Sequence, residues 1–146
     1  MQEAEQRITP SLWIAASAKE VADYYQGIFK AESTVSDDAS FDETPSGETQ
    51  IFNMNLKGLA LQVMCTGKHD DFTDAVSFVL PCRDQAEIDY FWNAFTNEGK
   101  ASRCGWCQDK YGVRWQVIPE NLGELMSRPG GMETMLKQGK IIVDEY

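Results

Sequence analysis

Histidine and basic residues are scarce in this chain of 146 residues. The single histidine, His69, excludes any mechanism that needs two histidines, including the HExxH zinc site and the two-histidine iron triad. Lys and Arg number 13 against 23 Asp and Glu, which gives a formal net charge of -10. Because a surface of this charge repels phosphate backbones and anionic lipids, we expect no nucleic-acid partner and no membrane partner.

Long apolar runs are also missing. No segment approaches the roughly 18 apolar residues that a membrane-spanning helix needs, and Met1 to Gln6 are polar and acidic, unlike the start of a signal peptide. We therefore expect a cytoplasmic protein, in which the four cysteines are thiols because the cytosol is reducing. The length suits one domain, residues 1–146.

An internal repeat organises the chain. Ser11 to Ile14 aligns with Ser77 to Leu80 at a shift of 66 residues, whereas Lys57 to Met64 aligns with Tyr111 to Ile118 at a shift of 54. A shorter loop in the second copy explains the different shifts. The repeat predicts two copies of one structural module.

Each copy carries a helix-start signal after its first apolar run. Ser17 with Glu20, and Asp84 with Glu87, have the spacing at which the first side chain caps an exposed helix N–H group and the Glu reaches back. Apolar residues then recur at helical spacing. They are Val21, Tyr24, Tyr25, Ile28 and Phe29 in the first copy, and Ile88, Phe91, Trp92 and Phe95 in the second.

The remaining elements complete a β-α-β-β-β order in each copy. Further strands are predicted at 32–38, 50–56 and 101–107, with loops at 37–48 and 67–74. The fold class is therefore α+β. Module one covers about 8–66, module two about 75–119, and a C-terminal helical extension 120–146, with short helices near 121–126 and 132–137 and a β-prone segment at 141–143.

The strand faces differ in character, since side chains alternate between the two faces of a sheet. One face is entirely apolar and should meet the helices: Leu12, Ile14, Leu59, Leu61, Val63, Val76, Phe78, Leu80, Val113, Trp115 and Val117. The other face mixes hydroxyls, amides, one cation and apolar groups. A curved mixed sheet lining a half-polar ligand cleft accounts for that mixture, whereas a partly packed or dimer-facing sheet is the alternative.

The duplicated module resembles the vicinal oxygen chelate superfamily of glyoxalase, bleomycin-resistance and extradiol dioxygenase proteins. Within it, the chain is most similar to the PhnB-like group, which has been labelled demethylubiquinone methyltransferase-like. No Gly-rich loop after a strand supports binding of a methyl donor. The segments that carry the resemblance are Ile8–Trp13, Tyr24–Lys30, Ala75–Val79, Cys104–Trp106 with Asp109–Gly112, Trp115–Pro119 and Leu122–Leu125.

The resemblance implies positions for four metal ligands, which in metal-using members are mostly His and Glu. By strand position they fall near Thr9, at Gln62, near Ala75 and at Gln116. None of these residues is a histidine or a carboxylate, so a divalent ion would meet no anionic charge. We therefore expect no metal and no cofactor.

The expected function is binding of a small organic molecule in the cleft, with Arg114 as a clamp for an anionic group or, equally, paired with a local carboxylate. Any catalytic residue is unknown. The resemblance also implies a homodimer, and the apolar segment 141–143 needs cover from its own sheet or from a partner. The ligand-binding residues are expected to be Ser11, Trp13, Gln62, Met64, Ser77, Arg114 and Gln116.

Two alternatives involve different chemistry. One is a metal-dependent lyase, isomerase or dioxygenase-like enzyme of the same superfamily. The other is a cysteine-based module: Cys104 and Cys107 have the C-x-x-C spacing of redox pairs, and Cys65 with His69 would complete a four-ligand zinc site if the chain brought all four together.

Overall fold

The structure is a computed structural model that describes residues 5–68 and 70–146, leaving out the side chains of Asp37, Asp38 and Glu43. His69, one of the candidate zinc ligands, therefore lies outside the described residues. The chain divides into two compact units, Met1–Asp70 (unit 1) and Asp71–Tyr146 (unit 2).

Unit 1 is a four-stranded mixed sheet with one helix. Its elements are β1 (Ser11–Ile14), α1 (Ala18–Phe29), a 3-10 turn (Lys30–Glu32), β2 (Ser33–Thr44), β3 (Gly47–Leu56) and β4 (Leu59–Cys65). The strand order is β1-β4-β3-β2. Strand β1 runs parallel to β4, and the other neighbours are antiparallel.

Unit 2 repeats this plan and adds a C-terminal extension. Its elements are β5 (Phe78–Cys82), α2 (Gln85–Glu98), β6 (Lys100–Ala101), β7 (Trp106–Gln108), β8 (Arg114–Pro119), α3 (Leu122–Ser127), α4 (Gly131–Lys137) and a 3-10 turn (Val143–Glu145). The order β5-β8-β7-β6, with β5 parallel to β8, matches that of unit 1. The α+β class and the duplicated β-α-β-β-β module are confirmed.

Both helices begin at the predicted caps. The Ser17 hydroxyl accepts the backbone N–H of Glu20 at 3.2 Å, and the Asp84 carboxylate accepts that of Glu87 at 2.9 Å. Each helix buries the predicted apolar stripe, except for Tyr24 in α1, which is half-buried. The buried members are Val21, Tyr25, Ile28 and Phe29 in α1, and Ile88, Phe91, Trp92 and Phe95 in α2.

The apolar strand faces supply the other half of each core. In unit 2 the ring of Phe95 stacks on Trp115, with centroids 4.6 Å apart. The prediction for Val76 is wrong: its side chain is 73% exposed, because β5 begins only at Phe78. The members that are buried are Leu12, Ile14, Leu61, Val63, Leu80, Val113, Trp115 and Val117.

The strand register corrects the repeat alignment. Ser11 pairs with Gln62 in unit 1, but the residue that pairs with Gln116 in unit 2 is Val79 rather than Ser77. The first strands are therefore related by 68 positions, from 11 to 79, instead of 66. A shift of two residues leaves every side chain on the same face of its strand, so the assignment of residues to the apolar and the polar face is unchanged.

The β2–β3 hairpin is longer than predicted. Most of the loop expected at 37–48 is strand, and only Pro45 and Ser46 form the turn. Two irregularities in the pairing, between Ser36 and Ala39 and between Phe41 and Thr44, each place an extra residue in β2. Such bulges allow a polar segment without regular polar–apolar alternation to continue as a strand. Because that alternation is missing, the sequence predicts a loop there.

The strand predicted at 101–107 is interrupted by a turn. Cys104 and Gly105 have φ values of 59° and 82°, in the left-handed region. At Gly105 a Cβ atom would lie 2.9 Å from the carbonyl oxygen of Val117, so only glycine lets the turn approach β8 this closely. The prediction of one continuous strand is wrong there.

The β-prone segment at 141–143 forms no strand, which also corrects the prediction. The side-chain amide of Gln85 bonds to it instead, with Nε2 donating to the Ile141 carbonyl at 2.9 Å and Oε1 accepting the Val143 N–H at 2.8 Å. Ile141 is completely buried. One carboxamide thus satisfies two backbone groups that a neighbouring strand would otherwise pair.

In the part of the chain that the structure describes, no helix is both long enough and apolar enough to cross a bilayer.

A buried carboxylate organises the loop before β8. Asp109, 2% exposed, accepts the backbone N–H groups of Tyr111 and Val113 at 2.9 and 3.1 Å and the indole N–H of Trp115 at 3.0 Å. Segment 109–112, one of those that carry the resemblance to the PhnB-like group, therefore has a structural role: Asp109 positions Trp115 and orders the loop that leads into β8.

We predict that Asp109→Ala lowers the free energy of unfolding by about 3 kcal/mol, because three donors, two of them buried, lose their acceptor. Urea denaturation followed by circular dichroism measures the change. Asp71→Ala removes a carboxylate from an exposed position of the same unit and should change stability little. Equal effects of the two substitutions would contradict the role assigned to Asp109.

Candidate functional site

A row of polar side chains crosses the sheet of unit 1 on the face opposite its buried one. Ser11, Gln62, Asn53 and Ser36 are register neighbours on β1, β4, β3 and β2. We call these four residues the polar row. Ser11 and Gln62 were predicted, whereas Asn53 and Ser36 were missed.

Gln62 and Asn53, in the middle of the polar row, carry hydrogen-bonding groups that have no partner among the described residues. The Ser11 hydroxyl donates to Gln62 Oε1 at 3.0 Å, which orients the Gln62 carboxamide. Within the described residues, neither Gln62 Nε2 nor the Asn53 carboxamide has a hydrogen-bond partner. Both side chains are half-buried, and amides in such places normally bond to water or to a ligand.

An apolar strip lies directly beside the polar row. Trp13, Met64 and Ile51 are register neighbours on β1, β4 and β3, and all three are half-buried. The indole N–H of Trp13 donates to the Thr66 hydroxyl at 2.7 Å, and that hydroxyl donates to the Lys68 carbonyl. These bonds fix the Trp13 ring, so a rigid apolar surface adjoins the free amides.

The equivalent face of unit 2 has different neighbours. Gln116 on β8 lies between Val79 on β5 and Trp106 on β7. Its Nε2 donates to the Ser77 hydroxyl at 2.9 Å, which brings two predicted residues into contact. The Gln116 amide nitrogen is therefore engaged, unlike that of Gln62.

Arg114 is held by groups of its own unit. Its Nε donates to Asp74 Oδ1 at 2.8 Å, and its Nη1 donates to the carbonyls of Phe72 and Gly112 at 3.0 and 2.8 Å. Only 16% of the Arg114 side chain is exposed, against 77% for Asp74. The guanidinium is thus paired with a local carboxylate, the alternative named from the sequence, and an anionic ligand would have to compete with Asp74.

The four positions implied for metal ligands carry neutral groups. Thr9 and Ala75 are exposed, and the corrected register puts Ser77, instead of Ala75, in the place that matches Thr9. Hydroxyls and amides are weak ligands without a carboxylate or imidazole beside them, so this donor set does not fit a divalent ion. Across residues 5–68 and 70–146, no cluster of three or more His, Cys, Asp or Glu side chains is arranged to hold a metal ion.

Among the four cysteines, which form no disulfide in the described residues, Cys65, Cys82 and Cys107 are buried and Cys104 is half-buried. Burial raises the pKa of the Cys107 thiol to about 12 and that of Cys65 to about 11, with Asp109 and Glu20, respectively, adding to the rise. Redox pairs and zinc sites use thiolates, which a raised pKa disfavours. Cys104 lies in the turn before β7, and no helix starts there.

A pocket of about 600 Å³ lies at the carboxyl ends of β1 and β4. It contains none of the predicted ligand-binding residues. Its walls are Ala15, Ala16, Ser17, Ser46, Gly47, Glu48, Gln50, Cys65, Thr66 and Gly67. The Gln62 and Asn53 amides of the polar row therefore lie outside this pocket.

The residues that sequence reasoning missed lie in β2, β3 and β7. The segment 50–56 alternates polar and apolar side chains, with Phe52 and Met54 buried and Asn53 and Asn55 on the other face. This alternation was a usable signal for Asn53. Trp106 carried no such signal, because β7 has only three residues and follows an irregular turn.

We predict that an aromatic disulfide reagent at pH 7.5 reacts with Cys104 much faster than with Cys65 or Cys107 in the folded protein. The buried thiols are protonated at this pH, and reaction requires the thiolate. Mass spectrometry of the labelled peptides identifies the sites, and labelling in urea gives the full reactivity of all four cysteines. Fast labelling of native Cys107 would instead support a reactive C-x-x-C pair.

Comparison with known proteins agrees with this architecture. The family model described as 3-demethylubiquinone-9 3-methyltransferase matches residues 6–118. No curated protein matches the sequence significantly.

Solved structures with the same fold include the PhnB protein from Bacillus cereus. It is 27% identical, with a TM-score of 0.64 over 78% of this chain and 99% of that chain. Protein PA1353 from Pseudomonas aeruginosa is 18% identical, with a TM-score of 0.63 over 80% of this chain and 98% of its own. The fosfomycin resistance protein FosX from Mesorhizobium loti is 12% identical, with a TM-score of 0.58 over 86% of this chain and 100% of its own.

The last two likenesses concern the fold alone. The family match covers most of the chain, including every strand of both modules up to Ile118 in β8. The chain is therefore a member of the 3-demethylubiquinone-9 3-methyltransferase family, the PhnB-like group of the vicinal oxygen chelate superfamily.

Proposed function

We propose that the protein binds a small organic molecule on the polar sheet faces, without using a metal ion. The observation that carries this proposal is a pair of half-buried groups beside a rigid apolar strip, Gln62 Nε2 and the Asn53 carboxamide, which have no hydrogen-bond partner among the described residues. Small-molecule sites combine apolar surface with a few fixed polar groups in this way.

The site provides orientation rather than chemical activation. The Ser11–Gln62 and Ser77–Gln116 contacts hold two carboxamides in defined positions, and neutral amides and hydroxyls donate and accept hydrogen bonds without titrating near neutral pH. No candidate general base or activated nucleophile stands among these residues. Binding is therefore the function that the geometry supports best.

Metal-assisted chemistry is less well supported. Stabilising an enediolate on a divalent ion needs anionic or imidazole ligands, and the corresponding positions hold Thr9, Gln62, Ser77 and Gln116. Methyl transfer, the activity in the family's description, needs a site for a methyl donor. The chain lacks the Gly-rich strand-to-helix loop that commonly binds such cofactors.

We also propose that the protein works as a homodimer in the cytoplasm. Val76, which is 73% exposed and precedes β5, is a large apolar side chain that a second copy would cover. Size-exclusion chromatography with light scattering gives the mass in solution, and a monomer across the micromolar range would rule out this part of the proposal.

We predict that Gln62→Ala abolishes the thermal stabilisation produced by a metabolite-library ligand that binds to unit 1, because the oriented amide is lost. Gln116→Ala, made separately, tests the corresponding face of unit 2. Differential scanning fluorimetry measures the melting shift. Gln26→Ala, which removes an exposed amide from α1, serves as the matched control.

The same ligand should stabilise the protein equally after treatment with a chelator. Elemental analysis of protein purified without chelator provides a second readout. Stoichiometric divalent metal, or a melting shift that the chelator removes, would favour the metal-dependent alternative over the proposed function.

A further inference from the structure

We infer that the polar row of unit 1 binds the carboxamide group of an uncharged ligand, through Asn53 and Gln62. This inference rests on the proposed function and narrows its ligand class. Its starting point is that unit 1 retains the free amide groups, whereas in unit 2 the amide nitrogen of Gln116 is already bonded to Ser77.

The geometry suits a planar amide. Asn53 and Gln62 are directly opposite each other on the antiparallel strands β3 and β4, so their Cβ atoms are about 5 Å apart. Ser11 occupies Gln62 Oε1 and leaves Nε2 to donate. A ligand carboxamide can accept from Gln62 Nε2 through its oxygen and donate to Asn53 Oδ1 through its nitrogen, so one planar group pairs with both side chains.

The surrounding charges favour a neutral ligand. Three neighbouring register rows of this face hold only uncharged side chains among those described: the polar row, the Trp13–Met64–Ile51–Ala39 row and the Ala60–Asn55–Thr34 row. A carboxylate placed here would lose water without gaining a cation, which is costly. The net charge of -10 adds a long-range penalty for anions.

The apolar strip offers a contact surface for the part of the ligand attached to its carboxamide. A ring attached to the carboxamide would lie over Met64 and the fixed indole of Trp13, one row away from the amides. Successive residues on one face of a strand are about 7 Å apart, a distance that a single six-membered ring with its carboxamide spans. An aryl carboxamide therefore matches both rows at once.

Three nearly isosteric probes test this inference: benzamide, benzoate and benzamidine, which are neutral, anionic and cationic at pH 7.5. Titrations of the full-length, ¹⁵N-labelled protein are followed through the side-chain NH₂ resonances of Asn53 and Gln62. These signals are assigned by their loss in Asn53→Leu and Gln62→Leu. Benzamide should shift both signals in a saturable way. Benzoate has no N–H group to donate to Asn53 Oδ1, and benzamidine has no oxygen to accept from Gln62 Nε2, so both should bind at least about tenfold more weakly.

A substitution that introduces a negative charge tests the selectivity, and the same substitution elsewhere is its control. Asn53→Asp keeps the shape of the side chain but replaces its NH₂ group with a carboxylate oxygen, so benzamidine should become the best of the three probes. Asn93→Asp places the same change on the exposed surface of α2 and should leave the preference for benzamide intact. Unchanged dispersion of the backbone spectrum verifies that each variant is folded.

The outcomes separate this inference from the proposed function. Equal or stronger binding of benzoate or benzamidine at Asn53 and Gln62 would overturn the uncharged class and leave ligand binding on this face intact. If none of the three probes shifts these resonances while a library ligand does so, the carboxamide class is wrong. If neither the three probes nor any library ligand shifts the Asn53 and Gln62 resonances, the proposed binding function is wrong for unit 1 as well.

Discussion

Each sheet has to bury one apolar face against the helix of its own module, and this constraint determines the rest of the molecule. In unit 1 the helix α1 supplies Val21, Tyr25 and Phe29 to that core, and in unit 2 the stacked rings of Phe95 and Trp115 form its centre. Because side chains alternate along a strand, burying one face assigns every intervening residue to the other. The candidate binding faces are thus a geometric consequence of the cores.

Much of the fold follows from local patterns that act over a few residues. The caps at Ser17 and Asp84 depend on one side chain and a nearby backbone N–H, so they are visible in the sequence. The division of each strand into an apolar and a polar face is also visible in the sequence, because it depends only on alternation between neighbouring residues. The pairing of Val79, rather than Ser77, with Gln116 was not visible, because a two-residue slip preserves the alternation and only the hydrogen-bond ladder distinguishes the two registers.

The candidate site was predictable to the extent that its residues lie on regular strands. Ser11, Trp13, Gln62 and Met64 are neighbours in unit 1, as parity and the repeat suggested. The partner of Arg114 was not predictable in detail, because Asp74 approaches it from a loop. Asn53 was missed although its strand alternates clearly, and the bulges in β2 hid the register that brings Ser36 beside it.

The C-terminal segment has a consequence for how the domain is delimited. The family model ends at residue 118, and 78% of the chain superimposes on the PhnB protein from Bacillus cereus. Yet Ile141 is completely buried in unit 2, and the backbone of Gln138 and Gly139 accepts hydrogen bonds from the turn at Cys104 and Gly105. Residues beyond the family match therefore contribute to the core of unit 2. A fragment cut at the family limit would lack part of its own hydrophobic core.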